Sequence, residues 1–363
     1  MIDAMLLAPP ARPAQAPAVP ADHVERCVEL ALRTLEHGDG ERREPLLDGT
    51  SIAGLAARQV ASGGGRIRPG LAWAGWAYAA APGTTEPADL VRLGAALELL
   101  HTFALVHDDV MDESPTRRGI PTTHVAVAAA HRAHGGVGDP QRFAESVAVL
   151  VGDLLHARAL VLAAPLPAPV HARFAEMVLE LVDGQAQDVL AAAAGPGDLD
   201  RAREVALLKT GRYSVQRPLE LGGTLGSASP DVLRELSRYG ELVGEAFALR
   251  DDALGVWGDP ERTGKPVGDD LRDRKQTMML ALARDLLPPA GLALLDTDSG
   301  RALATDEVAE LTAHLEAVGL RQAVAQRVEH LIGEAVEVLD PARAEAAGAH
   351  LETVAHEIAG SMP

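Results

Sequence analysis

The sequence predicts an all-α fold, one large helical bundle, on three observations. Aromatic residues make up only 3% of the chain while alanine and leucine dominate, which suits helices packed through small and straight-chain side chains better than sheets. Hydrophobic residues reach 47% of the 363 positions, enough for a large core. Apolar side chains recur three and four apart, as in Leu93, Leu97, Leu100 and Ala104, with His107 continuing the stripe, the spacing of one helix face.

Taken in order, residues 1–20 are rich in Pro and Ala and read as a disordered arm; one domain, 21–363, follows. A first helix is expected from Ala21 to His37 with Asp22 as its cap, and a second from Leu46 to Ala61. Gly63-Gly64-Gly65 then breaks the chain before Arg66-Ile67-Arg68-Pro69; read alone, this is a flexible interhelix loop with two solvated arginines. Pro69 to Ala81 reads as a helix whose Trp73, Trp76 and Tyr78 are core or interface residues. After a turn at Pro82 to Pro87 comes the helix that carries the first acidic motif and ends at Asp112. Pro115 to Gly138 is irregular, with a helix near Val125 to His134; His131 and His134 lack a third ligand and are not a metal pair. Helices follow over Ser146 to Leu162 and over Ala172 to Ala194, the latter with Gln185 and Asp188 on one face. More are expected over Leu199 to Leu221, over Asp231 to Leu254, and from Ala281 to the end.

Net charge is −19, which argues against nucleic acid and against an electrostatic hold on an anionic membrane surface. An anionic substrate must then be drawn in by local cations. Cys27 is the only cysteine, so no intrachain disulfide and no cysteine-based metal site is expected; this fits a cytoplasmic protein. Met1 to Leu7 make a poor signal peptide, and no stretch free of charge or proline is long enough to span a bilayer.

Two acidic helix ends carry the chemistry. Asp108 and Asp112 are four apart and share a face, with Asp109 beside them, at the helix end that disfavours anions. The simplest compensation is Mg²⁺, which takes one or two carboxylates plus phosphate oxygens. Arg117 and Arg118, just downstream, suit the phosphates. A second pair, Asp251-Asp252, ends another apolar run and is followed by Lys265, Asp269-Asp270 and Lys275. Facing each other across a bundle, the two ends would make a polynuclear Mg²⁺ site for a diphosphate.

The chain resembles the trans-isoprenyl diphosphate synthases, the polyprenyl synthetase family, and among them the short-chain type that includes geranylgeranyl diphosphate synthases. The matching text is Gly64-Gly65-Arg66-Ile67-Arg68-Pro69, Asp108-Asp109-Val110-Met111-Asp112 with Arg117-Arg118-Gly119, and Gly152-Asp153-Leu154-Leu155. It continues with Gly184-Gln185-Ala186-Gln187-Asp188, Lys209-Thr210-Gly211-Arg212-Tyr213, and Asp251-Asp252 with Gly264-Lys265-Pro266. The blocks stand in the family's order from roughly Ala21 to Ala290. The resemblance implies a bundle around a central apolar cavity, a homodimer, and Mg²⁺ held by Asp108, Asp109, Asp112, Asp251 and Asp252. Asp259 or Asp270 would stand near as a further acid. It also implies isopentenyl diphosphate on Arg66, Arg68, His101 and Arg118, and an allylic diphosphate on Arg117, Lys209, Thr210, Lys265 and Lys275. Phe103 and Ala104 would limit product length.

Three positions depart from the family pattern. Gly65 stands where a lysine is usual, so one phosphate contact is missing, worth about 1.5–3 kcal/mol. Phe247-Ala248 replaces Phe-Gln, and Gly255 stands where the second motif often has a fifth-position Asp. The implied reaction is Mg²⁺-dependent head-to-tail condensation to a short trans-prenyl diphosphate, geranylgeranyl first and farnesyl next. Gly65 leaves open an enzyme that ionises an allylic diphosphate without isopentenyl diphosphate, as a terpene synthase does. A non-catalytic regulatory subunit is the remaining alternative.

Overall fold

A computed structural model describes residues 19–20, 22–36, 46, 48–81, 83–194, 198–259, 268–272, 275–296, 302–340, 343, 349–360 and 362. Residues 1–18 of the expected N-terminal arm and the Gly264-Lys265-Pro266 block, with Lys265, lie outside them.

The described chain is helical from end to end. Its first half comprises α1 (His23–Glu36), α2 (Ile52–Ala61), α3 (Ile67–Ala79), α4 (Ala88–Met111), α5 (Thr123–Ala133), α6 (Pro140–Ala163) and α7 (Ala168–Ala194). The second half runs through α8 (Leu199–Ala206), a π-helical segment (Leu207–Gln216), α9 (Arg217–Leu225) and α10 (Pro230–Trp257). It closes with α11 (Asp269–Arg272), α12 (Met278–Arg284), α13 (Pro289–Asp296), α14 (Thr305–Ala317), α15 (Leu320–Val338) and α16 (Ala349–Gly360). The expected all-α bundle is borne out. The exception is a hairpin of β1 (Thr116–Arg117) and β2 (Ile120–Pro121), antiparallel with Thr116 opposite Pro121, where the sequence predicts irregular chain. Arg118 and Gly119 turn it with φ of 55° and 75°.

Capping residues set the helix starts. Ser51 Oγ accepts the Gly54 N–H, which begins α2 at Ile52 and not at the expected Leu46. Asp139 accepts from Gln141 and Arg142 and, with Pro140 in the first turn, begins α6 six residues before the expected Ser146. Ser229 and Thr277 cap α10 and α12 in the same way.

α4 sits at the centre, with Leu90, Leu93, Leu97, Leu99 and Leu100 all fully buried. Such a helix must be apolar all round. By length and composition, with a charge or two allowed in the window, α4 and α6 are long and apolar enough to cross a membrane; the relevant window of α4 is 61% buried inside the bundle. Trp73, Trp76 and Tyr78 lie in the core as expected. His131 Nε2 donates to the Val137 carbonyl and His134 Nδ1 lies against the Ala130 carbonyl, consistent with structural roles.

Two close helix crossings rest on glycine. A Cβ at Gly75 on α3 would collide with the Leu219 carbonyl on α9, and one at Gly222 on α9 would collide with the Ala72 carbonyl. Gly211 of the π-helical segment and Gly244 of α10 meet in the same reciprocal way. Backbone cannot yield as a side chain can, so Gly75→Ala is expected to cost about 1–3 kcal/mol. A thermal melt should show a loss of a few degrees; an unchanged midpoint would remove this account of the α3–α9 crossing.

Candidate active site

The first acidic cluster lies at the C-terminal end of α4. Burial of the leucine run below it fixes which way its acids point: Asp109 is buried, while Asp108 and Asp112 stand half-buried on the adjoining face. Each carries a cation from elsewhere in the chain. The hairpin aims Arg117 so that Nε is 2.6 Å from Asp109 Oδ1 and Nη2 is 3.3 Å from Asp108 Oδ2. The π-helical segment brings Lys209 Nζ to 3.0 Å from Asp108 Oδ1 and 2.6 Å from Asp188 Oδ2 on α7. Lys275, just before α12, places Nζ 2.6 Å from Asp112 Oδ2 and 3.9 Å from Asp270 Oδ1. Burial alone would push the Asp108 carboxyl up, but Lys209, then Arg117 and Lys275, outweigh it and hold it below its usual range. Burial likewise pulls Lys209 and Lys275 down, and the acids around them more than reverse this.

The second cluster ends α10. Asp251 is exposed, whereas Asp252 Oδ2 accepts the Met279 N–H at 3.1 Å at the start of α12. Burial raises the Asp252 carboxyl well above its usual range; the Met279 N–H opposes this, and the charges of Asp270, Asp251 and Asp188 add to it. Gly255 has no side chain, and the space a Cβ would fill holds the Asp270 carboxylate. The fifth-position acid that this motif lacks is thus replaced in space by one from α11. Lys209 joins Asp108 to Asp188 on α7, and Lys275 joins Asp112 to Asp270 on α11; the charges of Asp188 and Asp270 in turn act on Asp252, which sets the second acidic end electrostatically beside the first.

Among the described residues no three acids or imidazoles already converge as a ligand set. The donor chemistry nevertheless fits a hard divalent cation, since Asp108, Asp109, Asp112, Asp251, Asp252 and Asp270 offer only carboxylate oxygens. The Gly255 cradle filled by Asp270 supports the same fit.

On the other flank lie the arginines. Arg66 caps α3 in a left-handed conformation, φ 47°. Its guanidinium is bound to Glu98, itself 1% exposed, and to the Val60 carbonyl. This qualifies the expected role of Arg66, because a carboxylate buried in α4 needs a counter-charge and takes this one. Arg68 is buried; its Nη2 donates to Ser214 Oγ at 2.6 Å, and its guanidinium lies 4.4 Å from the centre of the Tyr213 ring. His101 Nδ1 is 3.0 Å from the Tyr213 hydroxyl. Burial, then Arg68, Arg118, Arg117 and Arg66, lowers the His101 imidazolium well below its usual range. Arg118 bonds Ser62 Oγ and the Gly63 carbonyl, and it lies where a Cβ of Gly64 would be. Gly64, at φ 122°, is favoured as glycine by its backbone conformation, whereas the Arg118 guanidinium could shift to admit a Cβ. Thr210 lies half-buried next to Lys209.

Below Asp108, Phe103 and Ala104 pack partly buried against the core. Phe103 stacks on His156 at 4.7 Å and meets the His107 ring edge at 4.8 Å. His107 fits because position 152 is glycine; a Cβ there would strike its imidazole. Sequence reasoning gave no role to His156, Glu98 or Ser214, which lie outside any acidic motif, nor to Asp188 and Tyr213, although both stand in quoted blocks.

The sequence profile described as Polyprenyl synthetase matches residues 51–315. A geranylgeranyl diphosphate synthase of Mycobacterium tuberculosis is 34% identical over 282 residues, covering 73% of this chain and 74% of that protein. A short chain isoprenyl diphosphate synthase of Methanothermobacter thermautotrophicus is 31% identical over 269 residues, 70% of this chain and 74% of that protein. Among solved structures, the geranylgeranyl pyrophosphate synthase of Corynebacterium glutamicum, complexed with isoprenyl diphosphate and magnesium, superposes with a TM-score of 0.80 at 32% identity. It covers 93% of this chain and 99% of that one.

Proposed function

The chain belongs to the polyprenyl synthetase family, and from that premise we propose that it condenses isopentenyl diphosphate with an allylic diphosphate to a short trans-prenyl diphosphate, geranylgeranyl first and farnesyl next. One observation carries the reading: Lys209 and Lys275 tie the first acidic helix end to Asp188 and Asp270, whose charges also act on Asp252 at the second, beside a separate group of arginines. Such a pair of neighbouring sites suits two diphosphates.

Magnesium ions, when bound by Asp108, Asp112 and Asp251 with Asp109, Asp252 and Asp270 around them, supply charge neutralisation for the departing diphosphate. The chain's own residues do the rest. Arg117, Lys209 and Lys275 hold the allylic diphosphate and stabilise the negative charge that grows on it. Arg68, Arg118 and His101 orient isopentenyl diphosphate so that its alkene faces the allylic carbon. The carbon–oxygen bond to diphosphate breaks to leave an allylic cation, the alkene attacks it to form the new carbon–carbon bond, and the released diphosphate takes the proton lost from the carbon next to the former alkene. Phe103 and Ala104, packed against the core below Asp108, would help to keep water from the allylic cation. No side-chain nucleophile is required.

The assay is direct. With Mg²⁺, isopentenyl diphosphate and each allylic starter in turn, products identified by mass should be chains lengthened by five-carbon units. Products from an allylic diphosphate alone would favour the terpene synthase-like reading that Gly65 motivates. Failure to turn over any prenyl substrate would favour the regulatory subunit.

Gly65 itself is testable. A side chain at this position meets only Ile67 Cγ2 at ordinary contact distance, so Gly65→Lys should be accommodated. It is expected to lower the KM for isopentenyl diphosphate by roughly tenfold. An unchanged KM would mean that the present arginines already saturate that phosphate.

A homodimer is part of the same proposal. Leu150 and Val161 on α6 and Leu179, Val182, Val189 and Leu190 on α7 are each at least half exposed, an apolar surface of the kind that a second copy covers. A cytoplasmic location without membrane span or nucleic-acid partner accords with the net charge of −19 and with α4 being a core helix.

A further inference from the structure

We propose that Tyr213 is a positioning residue that fixes the tautomer of His101, so that a neutral imidazole turns an N–H, and not a lone pair, toward the diphosphate of isopentenyl diphosphate. The inference rests on the reading that His101 and Arg68 hold that substrate, and adds to it.

A neutral imidazole carries one donor and one acceptor. Burial and four surrounding guanidinium groups keep His101 in that form. It therefore binds an anion through one ring nitrogen only, and the wrong tautomer would set a lone pair against phosphate oxygen. Nδ1 faces the Tyr213 hydroxyl at 3.0 Å. Among the described residues, none is hydrogen-bonded to Nε2. If the phenol donates to Nδ1, the proton of the imidazole sits on Nε2 and is available to the ligand.

Two features make the phenol the donor. A phenol is more acidic than a neutral imidazole N–H, so the O–H···N arrangement is the stronger bond. The Arg68 guanidinium lies over the Tyr213 ring at 4.4 Å; a cation on that face draws electron density from the ring and makes its O–H a better donor and a poorer acceptor. Arg68 is in turn held by Ser214 Oγ at 2.6 Å. Adjacent residues of the π-helical segment thus reach the same guanidinium, one by its ring face and one by its hydroxyl. Tyr213 and Ser214 are both buried, so solvent does not compete for these bonds.

Tyr213→Phe tests this, because it keeps the ring over Arg68 and removes only the O–H. Imidazole ¹⁵N spectra of the free enzyme, with the His101 signal assigned through its loss in His101→Gln, should show an Nε2–H tautomer in the native chain. In Tyr213→Phe that signal should shift toward Nδ1–H or a mixture. The KM for isopentenyl diphosphate should rise roughly tenfold, with kcat and the allylic KM changed less than about twofold. In a His101→Gln background, where an amide donor needs no tautomer, Tyr213→Phe should leave the isopentenyl KM unchanged. An Nδ1–H tautomer in the native enzyme overturns the proposal, as does a Tyr213→Phe chain with unaltered ¹⁵N spectrum and KM. If His101→Ala leaves the isopentenyl KM unmoved, the parent reading of His101 fails instead, and the spectra still report on the tautomer.

Discussion

Replacing Asp108 by alanine is expected to lower kcat by about a thousandfold or more while leaving the fold standing. Asp108 meets two cations, Lys209 at 3.0 Å and Arg117 at 3.3 Å. Its loss strands neither cation: Lys209 keeps Asp188 at 2.6 Å and Arg117 keeps Asp109 at 2.6 Å. Removing one of three crowded acids also relieves repulsion at a helix end that disfavours them. The thermal midpoint should therefore stay within a few degrees of the native value while turnover collapses. Steady-state rates at saturating Mg²⁺ and a melting curve on the same preparation decide the matter. A variant that melts normally and retains more than a tenth of native turnover would take Asp108 out of the chemistry.

Phe103→Ala is expected to lengthen the product by roughly one or two five-carbon units, the volume of the lost ring being opened to the growing chain. Phe103 lies five residues before Asp108, where a chain growing away from the first acids would meet it. Its ring is not a loose plug, because His156 stacks flat against it at 4.7 Å and His107 closes its edge at 4.8 Å. The ring is only partly buried, so the stability cost should be about half of the ~3–5 kcal/mol of a fully buried phenylalanine. Mass spectrometry of products from a farnesyl starter reads the outcome. An unchanged product distribution would show that chain growth ends elsewhere.

Much of this architecture is legible in the sequence because its signals are local. Helical spacing of leucine and alanine marks the bundle, and adjacent aspartates at the end of an apolar run mark both motif helices. Lys209 and Lys275 are identified by their place in short ordered blocks. What the sequence hides depends on contacts between distant residues. Arg66 reads as a phosphate ligand until Glu98, 32 residues on, is seen to claim it. Gly255 reads as a missing acid until Asp270, from another helix, is found in its place. Asp252 reads as the twin of Asp251, yet one of its oxygens is bound to the backbone of Met279. The 116–121 hairpin is too short to leave an alternating pattern, and His156 has no neighbours in sequence that advertise its stacking.

The segment from Leu207 to Gln216 holds one more residue per turn than its neighbours need. An i→i+5 ladder of that length is rare because each turn is looser than an α-turn. Here its two flanks are pinned from outside, Lys209 by two carboxylates and Tyr213 by an imidazole and a guanidinium. Deleting a single residue between those anchors would let the helix tighten into ordinary α-winding at no loss of backbone bonding. It would also change the bearing of one anchor relative to the other. On the proposed function, the surplus residue lets one helix present Lys209 to the allylic diphosphate and Tyr213 to the His101 side, and a length change there is expected to disturb function more than folding.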